Sequence, residues 1–247
     1  MRVSSKTHLG LIRENNEDAM LVASSNLFAV ADGMGGSNAG EVASHSALHI
    51  FRAVLEKQLE DGQGVSYAFR KAISETNENI YKLSGDKPEY KGMGTTLTAL
   101  YIDKYNFAHV AQVGDSRLYR YRNGRLTQIT EDQTLVGEMV KAGKITRHEA
   151  KVHPHKNLLS QAIGVSKIIQ AELSRFEIKK DDVLLLCSDG LSNMLTEEEI
   201  ANGLSLGEPQ KCVEQLLELA LKNGGRDNIT LIVIDDFDKE DDHGANN

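Results

Sequence analysis

Four aspartates share one local setting. Asp32 ends the apolar run Phe28-Ala29-Val30-Ala31 and is followed by Gly33, Met34, Gly35 and Gly36. Asp189 ends Val183-Leu184-Leu185-Leu186-Cys187-Ser188 and is followed by Gly190. Asp115 ends Ala111-Gln112-Val113-Gly114, and Asp227 stands just before the apolar run 229–234. Short apolar runs bounded by turn residues predict buried strands. The glycines keep side chains out of the way, so that backbone and carboxylate can approach something small and charged. Arg13-Glu14-Asn15-Asn16-Glu17-Asp18 adds further acids and one embedded guanidinium.

Asp-Gly alone marks a tight hairpin turn. Context argues otherwise here: a loop and a helical pattern follow Asp32-Gly33, and Leu191-Ser192-Asn193 and a capped helix follow Asp189-Gly190. Converging carboxylates repel, by about 4 kcal/mol per pair ~4 Å apart at an effective dielectric near 20. Such a cluster needs cations. Oxygen-only ligation points to hard divalent ions, Mg²⁺ or Mn²⁺. Two of them sharing a water lower its pKa and hold it in line with a phosphorus atom. Arg13 would pair with phosphate oxygens.

Other chemistries fail on spacing. No Gly-x-x-x-x-Gly-Lys-Ser/Thr loop and no Gly-x-Ser-x-Gly elbow is present. The Arg of a Cys-based phosphatase loop is replaced by Asn193 after Cys187 and by Glu218 after Cys212. His148-Glu149 opens a zinc-protease motif, but Val152 occupies the place of its second His, and His153 comes one place late.

The elements that must position these residues are legible in outline. Ala39, Val42, Ala43, Ser46, Ala47, Ile50, Phe51, Val54 and Leu55 keep helical spacing with one buried face, up to Asp61-Gly62. A second helix is expected over 67–83, ending before Gly85 and Pro88. Strands 97–102, 107–113, 118–122 and 126–129 alternate with short polar turns and predict an antiparallel meander. Asn123-Gly124 is its clearest hairpin turn. A helix is expected at 133–142, then a short helix and exposed loop over 145–157, and strands at 170–176 and 183–188. Thr196 to Glu199 is a capping box, and 210–222 is a helix capped by Asn223-Gly224-Gly225.

The chain has 247 residues, enough for one large domain or two small ones, and its 40% hydrophobic and 26% charged content is ordinary for a soluble globular protein. Six acids against one Lys in residues 235–242 supply more than half of the net charge of −8. Nothing resembles a basic nucleic-acid surface. Cys187 and Cys212 are too few for a disulfide framework and imply a reduced, cytoplasmic setting. No apolar leader core and no run of ~18 apolar residues is present, so no membrane insertion is expected.

Six segments together resemble the metal-dependent protein serine/threonine phosphatase family (type 2C) in its minimal bacterial form. They are Arg13 to Asp18, Ala31 to Gly36, Gly92-Met93-Gly94-Thr95-Thr96, Gly114-Asp115-Ser116-Arg117, Ser188-Asp189-Gly190-Leu191, and Gly225 to Thr230. The order and spacing are the family's, across nearly the whole chain. The resemblance implies an α+β, four-layer αββα sandwich: two mainly antiparallel sheets face to face, each flanked by a helix pair. One phosphatase domain would fill 1–236, with a variable flap at about 144–166 and an acidic, disordered tail at 237–247.

The resemblance also implies roles. Asp32 would bridge two Mn²⁺ or Mg²⁺ ions, and the Gly33 carbonyl would bind one. Asp189 and Asp227 would complete that site. Glu17 and Asp18 would hold metal-bound waters, and Asp115 with Asp189 would form a weaker third site. Arg13 would bind the phosphate. The implied reaction is hydrolysis of phosphoserine and phosphothreonine by direct attack of a metal-bridged water. Its partners would be phosphorylated proteins, including a Ser/Thr kinase and its substrates, met by a monomer. The alternative is a catalytically weak metal-binding docking module on the same fold.

One departure matters. Animal members carry His where Met34 stands, and many bacterial members carry His where Ser37 stands. Leaving-group protonation is therefore assigned to a metal-bound water. An absent general acid would slow turnover by up to ~10²–10⁴-fold. His45, on the polar side of its helix, and the flap residues His153 and His155 are the remaining imidazole candidates.

Overall fold

The computed structural model describes residues 1–35 and 39–237. Ser37, and the tail from residue 238 onward for which the sequence predicts disorder, lie outside the described residues. The chain opens with β1 (Arg2–His8), β2 (Asp18–Ala23) and β3 (Leu27–Met34). The long helices α1 (Ala39–Glu60) and α2 (Val65–Asp86) follow. Then come β4 (Gly94–Thr95), β5 (Leu97–Ile102), β6 (Phe107–Val113), β7 (Arg117–Arg122) and β8 (Arg125–Gln128). Short helices α3 (Leu135–Lys141) and α4 (Arg147–Val152) precede β9 (Glu172–Glu177) and β10 (Val183–Cys187). The chain then runs through α5 (Asp189–Ser192), α6 (Glu197–Leu204) and α7 (Pro209–Lys222) into β11 (Ile229–Asp235).

The strands form two sheets, ordered β1-β11-β10-β7-β8 and β2-β3-β5-β6-β9, with β4 paired to β3. Every strand pairing between them is antiparallel. Three apolar layers hold the sandwich together. In β3, Leu27, Ala29 and Ala31 pack toward Phe51, Leu55, Phe69 and Ile80 of α1 and α2. The alternate residues Phe28 and Val30 meet Leu184, Leu186, Ile232 and Ile234 between the sheets. In β10 and β11, Leu185, Cys187, Leu231 and Val233 face α6 and α7. The central strands are thus buried on both faces, which is why their sequences run apolar instead of alternating. Each fully buried Leu, Ile or Val contributes roughly 1.5–3 kcal/mol.

Local chemistry sets the boundaries. At the β7–β8 hairpin, Asn123 (φ 50°) and Gly124 (φ 75°) both take the left-handed conformation of a tight two-residue turn. The second helix continues through Gly85 to Asp86, beyond its expected end. Pro88 then forces Lys87 into an extended conformation (φ −136°, ψ 142°) and stops it. The helix expected from 133 begins at Leu135, because the Thr134 side chain accepts from the Gly137 N–H and caps it. Thr196 and Glu199 form the expected capping box; Thr146 and Glu149 form a second, opening α4. Phe237, assigned to the tail by the sequence reading, is buried between the sheets.

Candidate functional site

The strand ends that carry the aspartates open onto one cleft of about 620 Å³. Arg13, Glu17, Asp32, Gly33, Asp115, Asp189 and Asp227 line it. Residues 157–162 with Val165, Ser166 and Ile168 supply the opposite wall. That wall reaches two residues past the predicted flap.

Asp32 is pinned through its backbone. Its N–H donates to Thr96 Oγ1 (2.9 Å), and its carbonyl accepts from the Thr96 N–H and the Thr95 hydroxyl (both 2.9 Å). Thr96 Oγ1 in turn meets Ser116 Oγ at 2.7 Å, tying Asp32 to the turn that carries Asp115. Gln112 Nε2 holds the same turn by donating to the Gly114 and Ser116 carbonyls, both at 2.8 Å.

Glycine is required where backbones cross. A Cβ at Gly33 would lie 2.1 Å from the Gly40 carbonyl oxygen, and one at Gly190 would lie 1.9 Å from that of Asn228. Those approaches draw the ends of β3 and β11 against their neighbours.

Asp189 opens α5; its Oδ2 accepts from Asn193 (3.0 Å) while its buried Oδ1 has no hydrogen-bond partner. Asp18 stands directly opposite Asp32 across the β2–β3 ladder. Its side chain is buried behind the cleft, where Oδ2 accepts from Ser188 (2.7 Å) and Oδ1 again has no partner. Asp227 Oδ2 pairs with Arg13 Nη2 at 2.7 Å, half exposed at the cleft mouth.

Four of these acids resist ionisation. Burial, then the nearby Asp189 and Asp227 charges, pushes Asp18 up to about 7. Burial, then Asp189, pushes Asp115 up to about 8 against the opposing Arg117. Burial and the Asp18 and Asp189 charges hold Asp32 well above the usual carboxylate range, and burial with Asp227 raises Asp189. Buried carboxylates without a cationic partner are costly, and like charges add to the cost.

Among the described residues, no three His, Cys, Asp or Glu side chains are already gathered in metal-holding geometry. One oxygen of each of Asp227, Asp189 and Asp18 is instead hydrogen-bonded, by Arg13, Asn193 and Ser188 respectively. The donor set nevertheless suits a hard divalent cation: all oxygen, strongly acidic in number, with the buried Asp189 Oδ1 lacking a hydrogen-bond partner. His45, His153 and His155 do not line the cleft.

Sequence reasoning gave no role to Asn228, which holds the N-terminal motif in place. Its side chain accepts from the Glu17 N–H (2.8 Å) and donates to the Leu9 (2.9 Å) and Asn15 (3.0 Å) carbonyls. The Glu17 carbonyl accepts from Gly33 (3.1 Å) and Ser44 (2.6 Å), so this motif is sewn to both sheets. Asp227-Asn228 was a visible motif, but contacts 211 to 219 positions away carry no local signal.

Known proteins share this architecture. The family model described as "Protein phosphatase 2C" matches residues 13–224. The serine/threonine protein phosphatase PstP of Mycobacterium tuberculosis is 39% identical over 238 residues, 96% of this chain. This chain spans 45% of that relative's length. The crystal structure of the PPM Ser-Thr phosphatase MsPP from Mycobacterium smegmatis, in complex with cacodylate, superposes with a TM-score of 0.84 at 37% identity, covering 95% of this chain and 98% of the other. The catalytic domain of PstP in complex with two manganese ions superposes with a TM-score of 0.79 at 36% identity, covering 94% and 96%. With its layers, its aspartate-lined cleft and a model match over most of its length, this chain belongs to the protein phosphatase 2C family.

Proposed function

We propose that this protein hydrolyses phosphoserine and phosphothreonine on proteins, using two Mn²⁺ or Mg²⁺ ions and, at a weaker site, a third. The observation that carries the reading is the meeting of Asp32, Asp115, Asp189 and Asp227, from both sheets, in one cleft with Arg13 at its mouth. The relatives' names and the manganese-bound PstP domain support it.

When bound, the ions would neutralise the acid cluster and lower the pKa of an attacking water. Asp32 and the Gly33 carbonyl, with Asp189 and Asp227, would hold them. Asp115 with Asp189 would serve the third site, and Glu17 would orient water from the cleft edge. Asp18, set behind Asp32, would act through that neighbour. Arg13 would bind the phosphate, exchanging its contact with Asp227 for the substrate's oxygens. Attack by water forms a new P–O bond as the P–O bond to the Ser or Thr side chain breaks. The released alkoxide would take its proton from a water held in the cleft, since no imidazole among the described residues lines it, and the attacking water gives up one proton, so that alcohol and inorganic phosphate are the products.

A monomeric, cytoplasmic enzyme opposing a bacterial Ser/Thr kinase fits this reading. Among the described residues, no helix is long and apolar enough to cross a membrane. A docking module of weak activity is disfavoured because no predicted carboxylate is missing. The test is hydrolysis of p-nitrophenyl phosphate and a phosphothreonine peptide in EDTA, Mg²⁺ or Mn²⁺. Wild type should turn over only with metal, and Asp32→Ala and Asp189→Ala should lose that activity. A folded wild type inert toward both substrates in Mn²⁺ would shift the reading to the docking module.

A further inference from the structure

The wall of the cleft differs in chemistry from its floor. Leu158, Val165 and Ile168 line it and are 54%, 51% and 84% exposed. No acidic side chain occurs in residues 157–168, and Lys167 is the one charge. Large apolar side chains grouped beside a charged cavity mark a surface for a partner.

This wall is fixed in place. Thr95 exchanges two backbone hydrogen bonds with Ile163 (3.0 and 2.9 Å), next to the residue that clamps Asp32. Asn77, buried in α2, accepts from the Gly164 N–H (2.9 Å) and donates to the carbonyls of Ser166 (2.9 Å) and Lys167 (3.2 Å). Leu135 N–H donates to the Leu158 carbonyl, and Ser160 N–H to that of Gln133, both at 2.8 Å. Backbone held at both ends keeps Val165 and Ile168 at the cleft mouth, and a pre-set apolar surface loses little entropy on binding.

We propose that Leu158, Val165 and Ile168 form a specificity shelf for the chain segment beside the phosphorylated residue, favouring apolar neighbours over acidic ones. The inference rests on the phosphatase reading and names its substrate class. The occupant follows from continuity and charge. The shelf bounds the same cavity as Asp32 and Arg13, so a segment whose phosphate reaches Arg13 must lie against it. Apolar neighbours would cover exposed shelf carbons, whereas acidic ones would lose hydration against them without gaining a cationic or hydrogen-bonding partner among those three side chains.

The experiment compares phosphothreonine peptides that differ only in flanking Leu or Asp, with kcat/KM measured in Mn²⁺. Wild type should prefer the Leu peptide by about tenfold, the scale of a small apolar contact in a pocket. Ile168→Asp and Val165→Asp should bring the ratio of the two peptides close to one. Val152→Asp, on α4 away from the cleft, should leave that ratio unchanged. A wild-type ratio near one, or a ratio unaltered in both shelf variants, overturns the shelf while the phosphatase reading stands. Absence of turnover of p-nitrophenyl phosphate and of every peptide by folded wild type removes both.

Discussion

Floor and wall of the cleft are built on different physical terms. The floor sits at the ends of strands buried on both faces. Its acids are placed by a doubly packed core and by backbone crossings that admit only glycine. The wall is a non-helical segment held by a few backbone bridges, one asparagine and the buried Ile163, with Leu158, Val165 and Ile168 left in water. Chemistry that must be placed within fractions of an ångström rests on the core. Contacts that choose among partners rest on a segment that can vary without unfolding it.

The sharpest way to probe this comparison is to add one methyl group to the floor and one to the loop between α3 and α4 that leads toward the wall. Gly190→Ala drives a carbon into the Asn228 carbonyl, so the floor should lose more than about 4 kcal/mol or fail to fold. Gly143→Ala, between α3 and α4, meets nothing within 4 Å and suffers only from its φ of 67°. A loss of about 1–2 kcal/mol is expected there, or roughly 2–8 °C in Tm. Equal losses in a thermal scan would sink the distinction.

A smaller but still large effect concerns pH. In EDTA, Asp18 and Asp115 hold their protons in the folded chain up to about 7 and about 8. The unfolded chain releases them near the ordinary value of about 3.9. Between those limits the folded state binds more protons, so stability falls as pH rises from about 4 to 8. A buried group such as Asp18 contributes on the order of several kcal/mol to that fall. Saturating Mn²⁺ at pH 8 should restore about 3 kcal/mol at 100 times its dissociation constant. The pH slope in EDTA should shrink in Asp18→Asn; an unchanged slope would remove Asp18 as its source.

An effect smaller than the pH-dependent one probes the wall. Asn77→Ala leaves the Gly164 N–H and two carbonyls without their partner, at a cost of about 2 kcal/mol. The Leu-to-Asp peptide ratio should fall with it, because Val165 and Ile168 lose their fixed backbone. A stable variant with an unchanged ratio would mean the shelf needs no clamp.

Legibility in the sequence follows the same divide. β3, β10 and β11 were readable because burial on both faces leaves a continuous apolar run, and their acids stood out at its end. Asn123-Gly124 and the Thr196 box were readable because turn and cap chemistry is local. The setting of Asp18 was not: only the ladder with β3 and the Ser188 hydroxyl, 170 positions on, put its carboxylate behind the cleft. Asn77 looked like any polar residue on a helix, since the backbone it holds lies 87 to 90 positions later.

The strand order has a consequence for how the protein is made. β1 takes β11 as its neighbour, and Arg2 is tied to Asp235, 233 positions away. During synthesis β1 has to wait for the whole stretch up to β11 before that edge is covered. Contacts this distant in sequence form slowly, and an unpaired edge invites the wrong neighbour in the interval. The same closure brings Asp227 to the cleft, so the set of acids lining the cleft is complete only as β1 gains its neighbour.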